Sequence, residues 1–257
     1  MKIKVIKIVI ICLAILMLLP SNSVFAKELY WYCKRNPDHK QPISEPQFSF
    51  LEKYGGMYLD KNHGDENQEK VIYLTFDAGY ENGNVEKILD VMREEGVVGS
   101  FFILGNLIER NPDLVLRMAN EGHIVCNHTV NHPNLVGKSE ETFKAEILGL
   151  ENAYRSLTGK EMAKFFRPPE GTFDKEMLKM AQDLGYRTVL WSFAYADWDN
   201  NAQPSEDEAL KKILDNVHNG EIMLLHPTSA TNAKIMQRLI KELKAQGFTF
   251  ATLDSIE

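Results

Sequence analysis

Residues 71–96 read VIYLTFDAGYENGNVEKILDVMREEG. The first six form an uncharged run rich in β-branched residues, which is typical of a buried parallel strand. Asn84 can cap a helix, and after it apolar side chains recur at helical spacing as far as Met92, where Gly96 ends the pattern. The segment is therefore predicted to be one strand followed by one helix.

The same strand–helix unit recurs to the end of the chain. Further strands are predicted at 98–104, 124–128, 164–167, 187–191, 222–226 and 248–253, and further helices from Asn111, residue 139, Asp174, Ser205 and Asn232. Alternating units of this kind give an α/β fold with a parallel sheet, because each helix returns the chain to the same end. The first turn, DAGYE at 77–81, lacks the glycine-rich phosphate loop typical of open nucleotide-binding sheets. Closure into a seven-stranded (β/α) barrel is therefore favoured.

The N-terminal segment has the pattern of an export signal. Three lysines precede an uncharged run over 8–19, and the small residue Ala26 follows a short polar stretch. The apolar run is short for a membrane span, so we expect a signal peptide over 1–26 with cleavage after Ala26; an uncleaved anchor is the alternative. Residues 27–69 have several prolines and no sustained period, which predicts a loop-rich arm on a domain spanning 70–257.

Charge and cysteine content exclude some classes of partner. The formal net charge is −7, and loss of the three signal lysines would bring it to about −10. Such a charge argues against nucleic acid or an anionic membrane as the main partner, and we expect a monomer. Cys33 and Cys126 remain after the signal; a disulfide and two separate thiols are both open, and their spacing is not that of a zinc site.

Polar residues follow successive predicted strands. They are Asp77, His128, Arg167, Asp197 and His226. The carboxyl ends of parallel strands share one face, where ligands bind. A single His or Asp at such a position is more often a turn or capping residue. Five of them on successive units favour one catalytic cleft.

Two histidines lie four residues apart, at His128 and His132. On a helix this spacing would direct both to one metal ion, but Pro133 disfavours helical geometry at the preceding residue. A loop must therefore bring them together. From the residues alone, metal ligation and a pair of polar loop histidines are both open.

Five short motifs occur in order along the chain. They read TFDAG at 75–79, HTVNHP at 128–133, RPPEG at 167–171, DW at 197–198 and LLH at 224–226. Together they resemble the motifs of the NodB-type polysaccharide deacetylases, carbohydrate esterase family 4. This resemblance implies a NodB homology domain, which is a distorted seven-stranded (β/α) barrel, and a hydrolase that removes acetyl groups from N-acetyl amino sugars.

Details of the first and last motifs further resemble the Bacillus-type peptidoglycan N-acetylmuramic acid deacetylases. These details are DAGYENG at 77–83 and HPTS at 226–229. They imply that the partner is a peptidoglycan glycan strand and that the sugar is N-acetylmuramic acid without a stem peptide, deacetylated to form muramic δ-lactam in spore cortex. The alternatives are a deacetylase of N-acetylglucosamine or chitin, an esterase acting on O-acetylated xylan, and a non-catalytic glycan-binding module.

The resemblance also implies residue roles. Asp77 would be the base and His226 the acid, while Arg167 would hold Asp77 ionised and Asp197 would orient His226. His128 and His132 would hold a divalent metal, zinc or another ion. The acetyl group or sugar would contact Trp198, Leu224, Pro168 and Glu170, although Trp198 and Leu224 could equally be ordinary core.

Two positions depart from the family pattern. Most relatives carry an Asp that completes the metal site where this chain has Ala78. The ion would then be weakly held with extra waters, or bound by another group such as Glu81. Many relatives also carry an aromatic residue where this chain has Glu170, so its contacts with the sugar should differ.

Overall fold

The computed structural model describes residues 27–257. The predicted signal peptide, residues 1–26, lies outside this range. Within the described range, every helix is too short or too polar to cross a membrane.

A parallel sheet forms the centre of the structure. The strands of the described region are β1 (Leu29–Tyr30), β2 (Lys70–Ala78), β3 (Ser100–Ile103), β4 (Ile124–Asn127), β5 (Phe165–Phe166), β6 (Thr172–Phe173), β7 (Arg187–Thr188), β8 (Glu221–Leu225) and β9 (Phe248–Phe250). Seven of them form one sheet in the order β7-β5-β4-β3-β2-β8, with β9 also paired to β2. Strands β1 and β6 pair separately in antiparallel orientation. The seven predicted strands are thus all present and parallel.

The two ends of the sheet approach each other. Beyond β7, Phe193 forms a single parallel bridge with Met223 of β8. Between these ends the segment 27–69 inserts Met57, which bridges Val189. The sheet therefore curls into an incomplete barrel, and the prediction of a distorted (β/α) barrel is confirmed.

Helices cover the outer face of the sheet. They are α1 (Val85–Glu94), α2 (Gly105–Arg110), α3 (Pro112–Asn120), α4 (Glu140–Thr158), α5 (Lys175–Asp183), α6 (Glu206–Leu214) and α7 (Ala230–Ala245). All except the short α2 were predicted. Apolar side chains of α1, α3, α6 and α7 pack on the sheet in one large core cluster.

Two helix boundaries were predicted wrongly. Helix α7 is capped by Ser229 and not by Asn232, because the Ser229 hydroxyl accepts a hydrogen bond from the Asn232 N–H at 3.0 Å. Helix α6 ends at Leu214 and not near Gly220. Between this helix end and β8, the Asn219 side chain accepts from the Val71 N–H at 2.9 Å, at the amino end of β2.

Residues 27–69 pack along one side of the barrel. Trp31 is 5% exposed, and its ring lies 4.8 Å from that of Phe48, centroid to centroid. The indole N–H of Trp31 donates to the Trp191 carbonyl at 2.8 Å. Cys33 and Cys126 are separate free thiols.

Candidate active site

A cleft of about 750 Å³ opens at the carboxyl ends of the strands. Seven of the ten residues predicted for the site line it: Asp77, His128, His132, Glu170, Trp198, Leu224 and His226. Arg167 and Asp197 are fully buried behind the wall of the cleft. Arg167 is paired with Asp77 and Asp197 with His226, both of which line the cleft. Pro168 is buried and does not line the cleft.

Asp77, near the end of β2, is held by Arg167. The Arg167 Nη1 donates to Asp77 Oδ1 at 2.7 Å, and Nη2 donates to the Thr75 hydroxyl at 2.9 Å. Burial alone would raise the pKa of Asp77, but the charge of Arg167, with that of His226 and the hydrogen bond from Arg167, outweighs it and the net pKa is lowered. Asp77 is therefore ionised, and its Oδ2 is not hydrogen bonded to Arg167.

His226, immediately after β8, is held by Asp197. Its ring Nδ1 donates to Asp197 Oδ1 at 2.7 Å, which leaves Nε2 for the cleft. Burial lowers the pKa of His226, but the hydrogen bond and charge of Asp197 outweigh it, with help from Asp77, so the net pKa is raised. This environment favours the protonated imidazolium.

Asn232 is a further residue of the site, and sequence reasoning assigned it only to a helix cap. Its amide donates to Asp197 Oδ2 at 2.6 Å and to the His226 carbonyl at 3.1 Å. The Tyr195 hydroxyl in turn donates to the Asn232 side-chain oxygen. The only feature that marks Asn232 in the sequence is that it is a second residue of the capping type, three positions after Ser229.

The two histidines predicted to hold a metal do converge. Their ring centroids are 4.9 Å apart. The Nδ1 of His128 donates to the Arg167 carbonyl at 2.8 Å, and burial lowers the pKa of His128 to about 4. The ring is thus neutral with a free electron pair on Nε2, which is the form that binds metals. This Nε2 lies 3.5 Å from Asp77 Oδ2, so two electron-pair donors face each other.

Residues 27–257 do not bring three metal-binding side chains together. No three His, Cys, Asp or Glu side chains in residues 27–257 are grouped to hold an ion. Ala78 is fully buried in the core, and both carboxylate oxygens of Glu81 accept from backbone N–H groups at the start of α1, those of Gly83 and Glu86. The residues present fit an ion held by His128 and His132 beside Asp77, with other donors completing its shell.

Backbone strain is concentrated at the cleft. Thr129, His132 and Glu170 have φ values of 77°, 60° and 57°, which non-glycine residues rarely adopt. The turn that contains both histidines is fixed by the Thr129 hydroxyl, which accepts from the His132 N–H at 2.8 Å. The predicted loop before Pro133 therefore has a defined conformation.

Aromatic side chains line the same cleft as Asp77 and His226. Trp198 is 61% exposed and its ring lies 6.1 Å from that of His226. Tyr80 accepts from the Asn200 amide at 2.8 Å, which connects the loop after β2 to the loop that carries Trp198. Trp191 and Tyr195 also line the cleft, although no motif in the sequence identified them.

Several known proteins that are similar to this chain in sequence and in fold are named as deacetylases. The model of the polysaccharide deacetylase family matches residues 64–189. The peptidoglycan-N-acetylmuramic acid deacetylase PdaA of Bacillus subtilis is 38% identical over 92% of this chain and 88% of its own length. A peptidoglycan-N-acetylglucosamine deacetylase of Bacillus cereus is 34% identical over 81% of this chain and 74% of its own.

The fold agrees with that assignment. The structure of Bacillus subtilis PdaA, described as a family 4 carbohydrate esterase, superposes with a TM-score of 0.84 over 90% of this chain and 97% of that one. A relative of this identity and coverage identifies the family, and the cleft contains the five motifs on which the resemblance rested. The chain belongs to the polysaccharide deacetylase family.

Proposed function

We propose that this chain hydrolyses the acetamide of N-acetylmuramic acid residues in peptidoglycan, at positions where the lactyl group carries no stem peptide. The observation that carries the proposal is that Asp77 and His226 line one cleft, where Asp77 is paired with the buried Arg167 and His226 with the buried Asp197. Amide hydrolysis needs a base for the attacking water and an acid for the leaving amine. The similarity to PdaA supports muramic acid as the sugar.

Asp77 takes the proton of the attacking water in this mechanism. Its Oδ1 accepts from Arg167, while Oδ2 is available on the cleft side. Arg167 is fully buried and also donates to the Val189 carbonyl at 3.2 Å, so it fixes the orientation of the carboxylate. The water is thereby activated beside the acetyl carbonyl.

His226 donates a proton to the departing amine. An amine anion is a poor leaving group, so the C–N bond breaks only as the nitrogen is protonated. Asp197 holds the imidazole with Nε2 available to the cleft and keeps it charged until the proton is transferred. The freed amine is the group that would close a muramic δ-lactam.

A divalent cation bound by His128 and His132 would polarise the acetyl carbonyl and stabilise the oxyanion. The neutral state of His128 supports this role. Zinc and other divalent ions share the same nitrogen donors.

Sugar contacts come from the side chains at the mouth of the cleft. Leu224 is only 4% exposed and lies two residues before His226, so it suits the acetyl methyl group. Trp198 presents a broad apolar face to the sugar, and Glu170 can accept from its hydroxyl groups. We further propose that the enzyme acts outside the cytoplasm, exported by residues 1–26.

The test is release of acetate from defined glycans. Purified residues 27–257 would be incubated with peptidoglycan strands stripped of stem peptides, with strands that retain them, and with chitooligosaccharides, and the products identified by mass spectrometry. We expect deacetylated muramic acid from the stripped strands. Deacetylation confined to glucosamine residues would favour the alternative represented by the Bacillus cereus relative. Binding without acetate release from any glycan would favour a non-catalytic module.

A further inference from the structure

Arg35 lies at the edge of the cleft. The chain runs to Arg35 from strand β1, which pairs antiparallel with β6. On the way, the backbone N–H of Trp31 donates to the Gly171 carbonyl at 2.9 Å. This stretch therefore lies beside Gly171, which lines the cleft. Farther along, Arg35 Nη2 donates to the carbonyl of Ala194 at 3.0 Å. Ala194 also lines the cleft. The segment 31–35 therefore follows one wall of the site.

The Arg35 guanidinium is anchored but has no acidic partner. Its Cζ lies 5.9 Å from the centroid of the buried Phe193 ring, in addition to the bond to Ala194. No carboxylate in residues 27–257 forms an ion pair with it, whereas the adjacent Lys34 pairs with Glu45 at 2.5 Å. The remaining N–H donors of Arg35 form the planar fork that binds a carboxylate through two hydrogen bonds.

Arg35 is also connected to the catalytic strand. The Leu224 N–H donates to the Phe193 carbonyl at 2.9 Å, and Leu224 precedes His226 by two residues. The segment that anchors the guanidinium is therefore hydrogen bonded to the segment that carries the proposed acid. A group on the reacting sugar that points to this wall would approach Arg35.

The charged residues of the cleft indicate a role for the positive charge of Arg35. Arg167 compensates Asp77 and His226 compensates Asp197, while Glu170 adds a negative charge at the surface. The whole chain has a formal net charge of −7. A carboxylate on the sugar that lies near Glu170, away from His128 and His132, would be repelled unless a cation lay at this edge of the cleft.

We propose that Arg35 is a specificity-determining residue that binds a carboxylate on the same sugar whose acetamide is hydrolysed. This inference rests on the proposed function. In muramic acid the lactyl ether is attached to the ring carbon next to the one that bears the acetamide, so its carboxylate lies close to the reacting group. A stem peptide converts that carboxylate into a neutral amide. Recognition by Arg35 would therefore select peptide-free strands by charge.

The kinetic test compares two preparations of peptide-free strands, one with free lactyl carboxylates and one with these groups converted to methylamides. For the wild type we expect kcat/KM to be at least about tenfold higher on the free strands, the size of one charge-assisted hydrogen bond. Arg35→Gln should abolish this preference, mainly through a higher KM on the free strands. Arg35→Lys should restore part of it.

Lys34→Gln is the matched control. It removes the same charge from the adjacent residue, whose ammonium group pairs with Glu45, and should leave the preference unchanged. A preference that persists in Arg35→Gln would overturn the inference. Equal loss of activity on both preparations would also overturn it, since that result indicates a structural role for Arg35.

Binding separates this inference from the proposed catalysis. Calorimetry would measure the affinity of both preparations for Asp77→Asn and for Asp77→Asn combined with Arg35→Gln. If the wild type releases no acetate, the proposed function fails, but a preference for free strands that requires Arg35 would still support carboxylate recognition. Equal affinities of the two proteins for the free strands would exclude it.

Discussion

Asp197 accepts two hydrogen bonds from one residue, His226. The ring Nδ1 donates to Oδ1 and the backbone N–H donates to Oδ2, each at 2.7 Å. The buried carboxylate thus fixes both the imidazole and the chain that carries it. The same contact raises the pKa of His226, because a negative charge next to the ring stabilises its protonated form.

The first prediction concerns pH dependence. The proposed mechanism requires protonated His226, so kcat/KM should fall as the pH rises through the raised pKa of this residue, above its ordinary value of 6.5. Asp197→Asn removes the charge that raises this pKa, and the alkaline limb should move to lower pH. Asp199→Asn, an exposed change in the same loop, is the control. The pH profile of acetate release measures both, and an unmoved limb in Asp197→Asn would remove Asp197 from this role.

The second prediction concerns the proposed acid and base. Asp77→Asn and His226→Ala should each lower kcat by at least about 100-fold, the scale of positioned proton transfer. Thermal unfolding should confirm that both variants fold. Turnover close to that of the wild type in either one would show that its residue does not transfer the proton.

The third prediction concerns the substituted metal position. Ala78→Asp places a carboxylate beside Asp77 at a fully buried site, which should lower the melting temperature of the metal-free protein. If the new carboxylate joins His128 and His132, affinity for zinc or manganese should rise more than about tenfold, judged from the size of effects at metal sites. Added metal should then stabilise this variant more than the wild type.

Calorimetry and thermal unfolding with each metal check this prediction. Ala78→Asn is the matched control, because it has similar size without the charge. Unchanged affinity in Ala78→Asp, together with binding that survives His128→Ala, would locate the ion elsewhere. Activity need not increase, since a second carboxylate would also raise the pKa of Asp77.

The fourth prediction concerns Glu221, the first residue of β8, at the strand end that is far from the cleft. It is fully buried, its Oε1 has no hydrogen-bond partner within residues 27–257, and Oε2 accepts from the His218 N–H at 3.1 Å. Burial raises the pKa of Glu221 well above its ordinary value of 4.5, while burial lowers that of His218 to about 4. Burial therefore favours the neutral form of both side chains, although the His218 Nδ1 lies 3.2 Å from Glu221 Oε2.

When a group has a higher pKa in the folded protein than in the unfolded chain, the stability that it contributes is fully present below the unfolded-state pKa. That contribution is lost as the pH rises through the folded-state pKa. Glu221 should therefore destabilise the protein increasingly above pH 4.5. Glu221→Gln should remove this dependence, so that its melting temperature exceeds that of the wild type by at least about 2 °C at alkaline pH and by less at pH 5. The exposed Glu66→Gln is the control. A melting-temperature difference that is independent of pH would contradict this account.

The pattern of the sequence was sufficient to predict the sheet and most of the candidate residues that line the cleft. Parallel strands require their carboxyl ends to meet, so Asp77 and His226 could be placed in one cleft from strand boundaries alone. Five polar residues at the ends of successive strands are difficult to explain as ordinary turn residues. Pro133 disfavoured a helix at His132, and His132 does lie in a turn outside any helix.

Contacts made by the N-terminal segment could not be predicted from local pattern. Arg35 meets Ala194 from 159 residues away, and no periodicity encodes a contact at that separation. Asn232 was misassigned for a different reason, since an Asn near a helix start is ordinarily read as a cap. Pro168 was expected to contact sugar, but it is buried and does not line the cleft.

The bond from Trp31 to Trp191 has a consequence for how this protein assembles. It joins residues 160 positions apart, and Trp191 forms part of the cleft wall. A chain synthesised from its N-terminus exposes the aromatic surface of Trp31 and Phe48 well before residue 191 exists to cover it. Contacts at such long sequence separation also form slowly. The completed cleft should therefore be one of the last parts of the molecule to mature, and the early segment needs protection from aggregation until then.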